Sequence, residues 1–161
     1  MDIAKTKSAL EQQKNIPLQP SSFCKEMNVV EGPWIIRWNK YFYMFYSSGG
    51  FSQPIYHLAC ARSASLTGPY DKSPDPVVAV DMAKYKRRVN CTWEGPGHGS
   101  AVQDAAGTWW MVYHAWTYGG VGTNPPGREM LLDRLVMGED GWPSVAGRVP
   151  SHIPRVGPVN K

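Results

Sequence analysis

From Val29 onward, apolar and aromatic residues come in short runs broken by Gly, Pro, Asn and Asp. Val29-Val30 leads into Trp34-Ile35-Ile36, a polar turn follows at Asn39-Lys40, and then comes Tyr41-Phe42-Tyr43-Met44-Phe45-Tyr46. Two such runs joined by a tight turn predict a β-hairpin. A Gly-containing loop spans 47–54, Tyr56 to Arg62 reads as a third strand, and Pro76 to Val80 as a fourth. Thr67-Gly68-Pro69 is the turn between those two. The pattern then recurs. Ala101-Val102 runs into a turn at 104–107, the apolar run Thr108 to His114 follows, Glu129 to Val136 makes the next strand, and Asp140-Gly141 closes the unit.

The two halves superpose at an offset of 67 residues, with Met44 on Met111, Tyr46 on Tyr113 and Tyr43 on Trp110. Repeats of three or four strands are the mark of a β-propeller, each blade being one small sheet, although a duplicated sandwich half gives the same spacing. The offset also sets Glu31 on His98, each at the head of the first strand of its repeat. In a propeller that strand lines the central axis, so two ionisable groups there face one funnel. Residues 1–27 differ in texture. Ala4 to Lys14 suits a short polar helix, two prolines follow, and the segment reads as a tail or leader. The expected organisation is therefore 1–27, a β domain over 28–145, and a Pro-rich C-terminal tail over 146–161.

Composition narrows the class. An apolar fraction of 42% over 161 residues suffices for one packed domain. Seven Trp and eight Tyr beside 16 Gly and 14 Pro favour strands and turns, and flat apolar rings suit core packing or sugar binding alike. The net charge is +4, and part of it is one run, Lys84, Lys86, Arg87 and Arg88, which reads as a solvated loop. No wide basic stripe or nucleic-acid reading module accompanies it. Cys24, Cys60 and Cys91 are too few and scattered for a disulfide framework or a Cys-based zinc site. Asn90-Cys91-Thr92 matches a glycosylation sequon. Residues 1–15 lack the apolar stretch of an export signal, and no run reaches the length of a membrane span.

Four residues are candidates for chemistry. Glu31, within Val30-Glu31-Gly32-Pro33-Trp34, lies among apolar and backbone-restricting neighbours. A carboxyl in such a setting is favoured in its neutral form and suits a general acid, the alternative being a strand-edge Glu facing solvent. Glu94-Gly95-Pro96 repeats the triplet but precedes the second repeat, and it ranks below Glu31. His98, between Gly97 and Gly99, is placed to ligate a metal, to bond a sugar hydroxyl, or to be a satisfied polar residue. Arg128 opens a strand after Pro125-Pro126-Gly127, where its fork can grip two adjacent sugar hydroxyls, anchor the carboxylate of the acid, or form a plain structural salt bridge. His57, His114 and His152 read as structural.

Taken in order, these motifs resemble glycoside hydrolase family 43. Val30-Glu31-Gly32-Pro33 with Tyr41 to Tyr46 is similar to its acid-bearing blade. Ala61-Arg62-Ser63 with Leu66-Thr67-Gly68-Pro69-Tyr70 is similar to the segment that follows. Gly95 to Ser100, Trp109 to His114, Arg128 and Asp140-Gly141-Trp142-Pro143 resemble its fifth blade. The resemblance implies a five-bladed propeller of which this chain holds the fourth and fifth blades, and inverting hydrolysis of arabinan- or xylan-type oligosaccharides. It implies Glu31 as general acid, Arg128 and His98 as substrate contacts, and no required cofactor, with calcium or another ion beside His98. It also puts the base Asp and a second, acid-tuning Asp upstream of Glu31, where Asp2 is the sole Asp. An inverting mechanism without its base cannot activate water. The chain is thus expected to be a glycosidase fragment, or a carbohydrate-binding remnant without turnover, with open sheet faces that favour self-association.

Overall fold

The computed structural model describes residues 29–87, 92–125, 127–154 and 156–160. The 1–27 segment with Asp2 and Cys24, and also Arg88, Cys91 and the sequon Asn90, lie outside the described residues. Eight strands form two four-stranded antiparallel sheets, each wound in simple sequence order. The first holds β1 (Val30–Trp38), β2 (Tyr41–Ser48), β3 (His57–Ser63) and β4 (Asp71–Lys72); the second holds β5 (Trp93–Gln103), β6 (Trp109–Thr117), β7 (Arg128–Met137) and β8 (Pro143–Val145). The hairpin turn falls at Asn39-Lys40, where Asn39 takes φ 55, a left-handed conformation that Asn tolerates better than most residues.

Beyond β8, which the sequence reading did not include, two predicted elements differ from that reading. The fourth strand is Asp71–Lys72, not 76–80. Pro74 and Pro76 have no N–H to give a ladder, so Val77 and Val78 make only a single bridge to Leu58, while their side chains are fully buried. The apolar pattern there reported burial, not pairing. The basic run, in turn, is helical over Met82–Arg87. Asp81 caps it, its Oδ1 accepting from the N–H groups of Ala83 and Lys84 at 3.1 Å each.

The sheets pack face to face. Phe45, Leu58, Cys60, Val77 and Val78 of the first meet Met111, Tyr113, Leu135, Trp142 and Val145 of the second in one core. Burial pushes the Cys60 thiol well up, which makes it inert packing. Polar ties cross the same seam. Trp34 Nε1 donates to Ala101 O at 2.9 Å, Tyr43 Oη to Gly141 O at 3.0 Å, and Arg62 to Gly141 O at 2.7 Å with its guanidinium 4.1 Å from the Trp142 ring. At the head of the Pro-rich stretch, Arg148 O accepts from Ala79 N, and Ser151 O accepts from Trp93 Nε1.

The ladders define how the repeats correspond. Ile35↔Met44 matches Ala101↔Met111, and Phe45↔Cys60 matches Val112↔Leu132. By this register the buried Ile36, Leu58 and Cys60 have Val102, Met130 and Leu132 as counterparts, all three exposed. The second sheet thus repeats in the open the face that the first sheet buries. This asymmetry yields a test. Met111→Ala, at 0% exposure, should lower unfolding stability by about 2–5 kcal/mol in urea melts, whereas Met130→Ala, at 79% exposure, should change it by less than about 0.5 kcal/mol when the melts are run dilute enough for the chain to be monomeric.

Candidate active site

Glu31 stands at the head of β1 opposite Ser47, and a bulge separates that pair from Trp34↔Phe45. Gly32 sits in the bulge at φ 62, a conformation that suits glycine and re-aims the preceding side chain. Tyr56, fully buried just before β3, donates its hydroxyl to Glu31 Oε1 at 2.7 Å. Burial, and secondarily the bond to Glu31, pushes the Tyr56 phenol far above its ordinary value, so it remains a donor. The ring has this position because Gly97 has no side chain: a Cβ there would lie 2.2 Å from Tyr56 Cε1.

Three further groups complete the cluster. His114 on β6 stacks parallel to Tyr56, with ring centroids 6.0 Å apart and planes 5° apart, and His98 stacks on His114 at 6.3 Å. Burial first, then the charges of Arg128 and His98, depress the His114 pKa to about 4, which keeps this imidazole neutral at neutral pH. Among the described residues its buried Nδ1 has no hydrogen-bond partner. Arg128, at the head of β7, donates to Phe51 O at 2.7 Å and lies 4.9 Å over the Trp116 ring. It thereby fastens the 49–55 loop of the first sheet to the second.

The structure brings Glu31, His98 and Arg128 to the same end of the two sheets, but not in the expected correspondence. Five residues connect Gln103 to Trp109, where four connect Arg37 to Phe42. The offset of 67 therefore holds for β2 and β6 but becomes 66 for β1 and β5. The counterpart of Glu31 is Gly97, and that of His98 is Gly32, the two sharing left-handed φ values of 52 and 62. His98 still reaches the acid's neighbourhood, since a Cβ on Gly32 would meet its ring at 3.0 Å. Its backbone N–H donates to Ser47 Oγ at 2.6 Å.

Tyr56 and His114 were not singled out from sequence as site residues. His114 had one legible signal: it falls 67 residues after Ser47, the ladder partner of Glu31. Tyr56 had none, because its role depends on the bare Gly97 far along the chain. His57 is structural, buried with Nδ1 3.1 Å from Ile55 O. Glu94 lies inside β5 rather than ahead of it, and is buried. Among the described residues no three His, Cys, Asp or Glu side chains converge on one point. Among the described residues, His98 would not be joined by two further side-chain ligands of these kinds for an ion.

Two consecutive four-stranded antiparallel sheets, each wound in sequence order with these side chains gathered at one end, are blades of a β-propeller. The model of glycosyl hydrolases family 43 matches residues 1–143, and the chain belongs to this family. It is 30% identical over 125 residues to a non-reducing end α-L-arabinofuranosidase of Bacteroides ovatus, which covers 71% of this chain and 21% of that protein. It is 31% identical over 123 residues to an extracellular exo-α-(1→5)-L-arabinofuranosidase of Cellvibrio japonicus, covering 72% and 33%. Among solved structures, a thermostable family-43 glycoside hydrolase aligns with a TM-score of 0.66 at 31% identity, over 82% of this chain and 39% of that one. The α-L-arabinanase of Cellvibrio cellulosa, complexed with arabinohexaose, aligns at 0.55 and 27%, over 73% and 37%. The chain thus spans a fifth to a third of these curated relatives, and its two sheets are part of a five-bladed propeller.

The depressed His114 pKa has a consequence for stability. Its ordinary value of 6.5 falls to about 4 in the fold, so the unfolded chain takes up this proton first as pH drops. The stability that depends on a neutral His114 is complete above about pH 6.5 and declines between there and about pH 4. Urea melts across that window should therefore fall more steeply for the wild type than for His114→Gln.

Proposed function

We propose that Glu31 is the general acid of an inverting glycosidase acting on arabinan- or xylan-type carbohydrates. The observation that carries this is the 2.7 Å bond from the buried Tyr56 hydroxyl to Glu31 Oε1. With Oε1 held as an acceptor, the transferable proton resides on Oε2. When the glycosidic C–O bond breaks, that proton passes to the leaving oxygen and Glu31 becomes a carboxylate. The Tyr56 bond strengthens as the charge develops, because hydrogen bonds to ionised acceptors are the stronger kind. Arg128 offers its remaining N–H groups, and the exposed His98 its ring, to sugar hydroxyls. Water must add to the anomeric carbon from the opposite face, with its proton going to a base carboxylate. Among the described residues Glu31 is the only carboxylate in the site's hydrogen bonds, so by family resemblance the base comes from another blade. That same observation favours a second reading, a carbohydrate-binding remnant without turnover.

The open face of the second sheet supports self-association. The opposite face of the first sheet is already buried at Met44, Tyr46, Ala59 and Ala61, so the contact pairs like faces about a two-fold axis. Sedimentation should show a dimer for the wild type and a monomer for Met130→Glu.

The acid assignment is tested in a polypeptide that joins the preceding blades to this chain, using arabinosides and xylosides of graded leaving groups. Glu31→Gln should cut kcat by about 10²–10⁴ where the leaving alcohol needs a proton, and far less for a dinitrophenyl glycoside. An equal loss on both substrates would remove Glu31 from the acid role, and an inactive joined protein that still binds arabinotriose would favour the remnant.

A further inference from the structure

The second Glu-Gly-Pro triplet takes no part in the site around Glu31, yet it is built in the same way. Glu94 opens a bulge in β5 in which two residues, Gly95 and Pro96, oppose one, Ala115, between Glu94↔Trp116 and Gly97↔His114. Glu31 opens the same kind of bulge in β1, from Glu31↔Ser47 to Trp34↔Phe45. The residue after each carboxyl is a left-handed glycine, Gly95 at φ 57 and Gly32 at φ 62. Gly95 also approaches the first sheet closely. Its N–H donates to Pro54 O at 2.9 Å, and a Cβ on it would stand 2.9 Å from Gln53 O. The backbone device that aims Glu31 therefore recurs at Glu94, clamped by the 49–55 loop.

What it aims is unusual. Glu94 is only 2% exposed, and its Oε1 accepts one long bond, from Val121 N at 3.3 Å. No second donor reaches it among the described residues. With one long bond made, the carboxyl keeps acceptor capacity for a guest in the space it lines. Glu94 lines an open hollow of about 600 Å³ together with Tyr85, Tyr118, Lys86 and Val121. The rings of Tyr85 and Tyr118 meet edge to face at 5.8 Å. A carboxyl acceptor beside aromatic walls has the chemistry to hold a sugar ring, whose adjacent hydroxyls donate to the two oxygens while its C–H face rests on tyrosine. Lys86 in the wall disfavours a cationic guest.

We propose that the hollow at Glu94 is a second sugar-binding site, taking one neutral furanose or pyranose unit with Glu94 as acceptor of two adjacent ring hydroxyls. The proposal rests on the carbohydrate reading of the chain but uses none of the residues that touch Glu31. It is tested on this chain by following backbone amide shifts in titrations with arabinotriose and, separately, xylotriose. Shifts at Tyr118, Gly119 and Val121 should appear in the wild type and persist in Glu31→Gln. In both Glu94→Gln and Tyr118→Ala the dissociation constant read from them should rise about tenfold or more. Tyr118 is exposed, so its truncation tests the hollow even if Glu94→Gln fails to fold. Shifts confined to Glu31, His98 and Arg128, or unaltered in both hollow variants, would overturn this site and leave the carbohydrate reading standing. No shifts with either trisaccharide would overturn both. A response to putrescine but to neither sugar would overturn the proposal in favour of a cation site.

Discussion

Where the two sheets meet, Phe45, Leu58, Val77 and Val78 press against Met111, Tyr113 and Leu135, and neither sheet has another way to bury that face within the seam. Everything at the candidate active site inherits its position from this contact. Glu31 belongs to one sheet, His98, His114 and Arg128 to the other, and only the packing of the seam sets the distances between them. Side chains in such a seam interdigitate at near-crystalline density, so a small residue matters as much as a large one. Gly97 illustrates this at the site and Gly99 below it, where a Cβ would meet Met111 Sδ at 2.9 Å. These two bare positions let Tyr56 and Met111 fill the space between the sheets.

Bulges then convert a regular ladder into a site. A strand in strict alternation sends every second side chain to the same face, which would fix Glu31 either in the core or in solvent. The extra residue between Glu31 and Trp34 breaks that alternation and turns the carboxyl towards Tyr56. In β5 two successive bulges break it twice, freeing His98 at one and Glu94 at the other. Each bulge holds a left-handed residue, and at 98 that residue is a histidine rather than a glycine. Strained non-glycine positions of this kind are kept where the surrounding structure holds them. Here the Ser47 hydroxyl that takes the His98 N–H supplies part of that hold.

The electrostatics of the cluster follow from the same geometry. The Tyr56 hydroxyl and the His114 ring are both taken from water by the seam, so one keeps its proton and the other refuses one. Arg128 adds a positive charge at the rim, where its guanidinium lies over Trp116 and keeps access to solvent. The result is a neutral, rigid backing behind Glu31 and a cationic rim in front.

From the amino-acid order alone, most of the strands, the Asn39-Lys40 hairpin, the repeat and the family were legible, because each depends on neighbours a few residues away or on motifs in a fixed succession. The alternation of apolar residues also reported that Val77 and Val78 are buried. It could not report that prolines on either side of Asp75 deny them a ladder, nor that Lys84–Arg87 is helical behind an Asp81 cap. The correspondence of Glu31 with His98 failed for a similar reason: one extra residue in the turn at 104–108 shifts β5 against β1, and a turn's length shows its effect only when the strands pair. Tyr56 and His114 entered the site only in the folded molecule. Their role comes from contacts between segments of about 25 to 60 residues' separation, and only the packing of one sheet on the other brings such segments together.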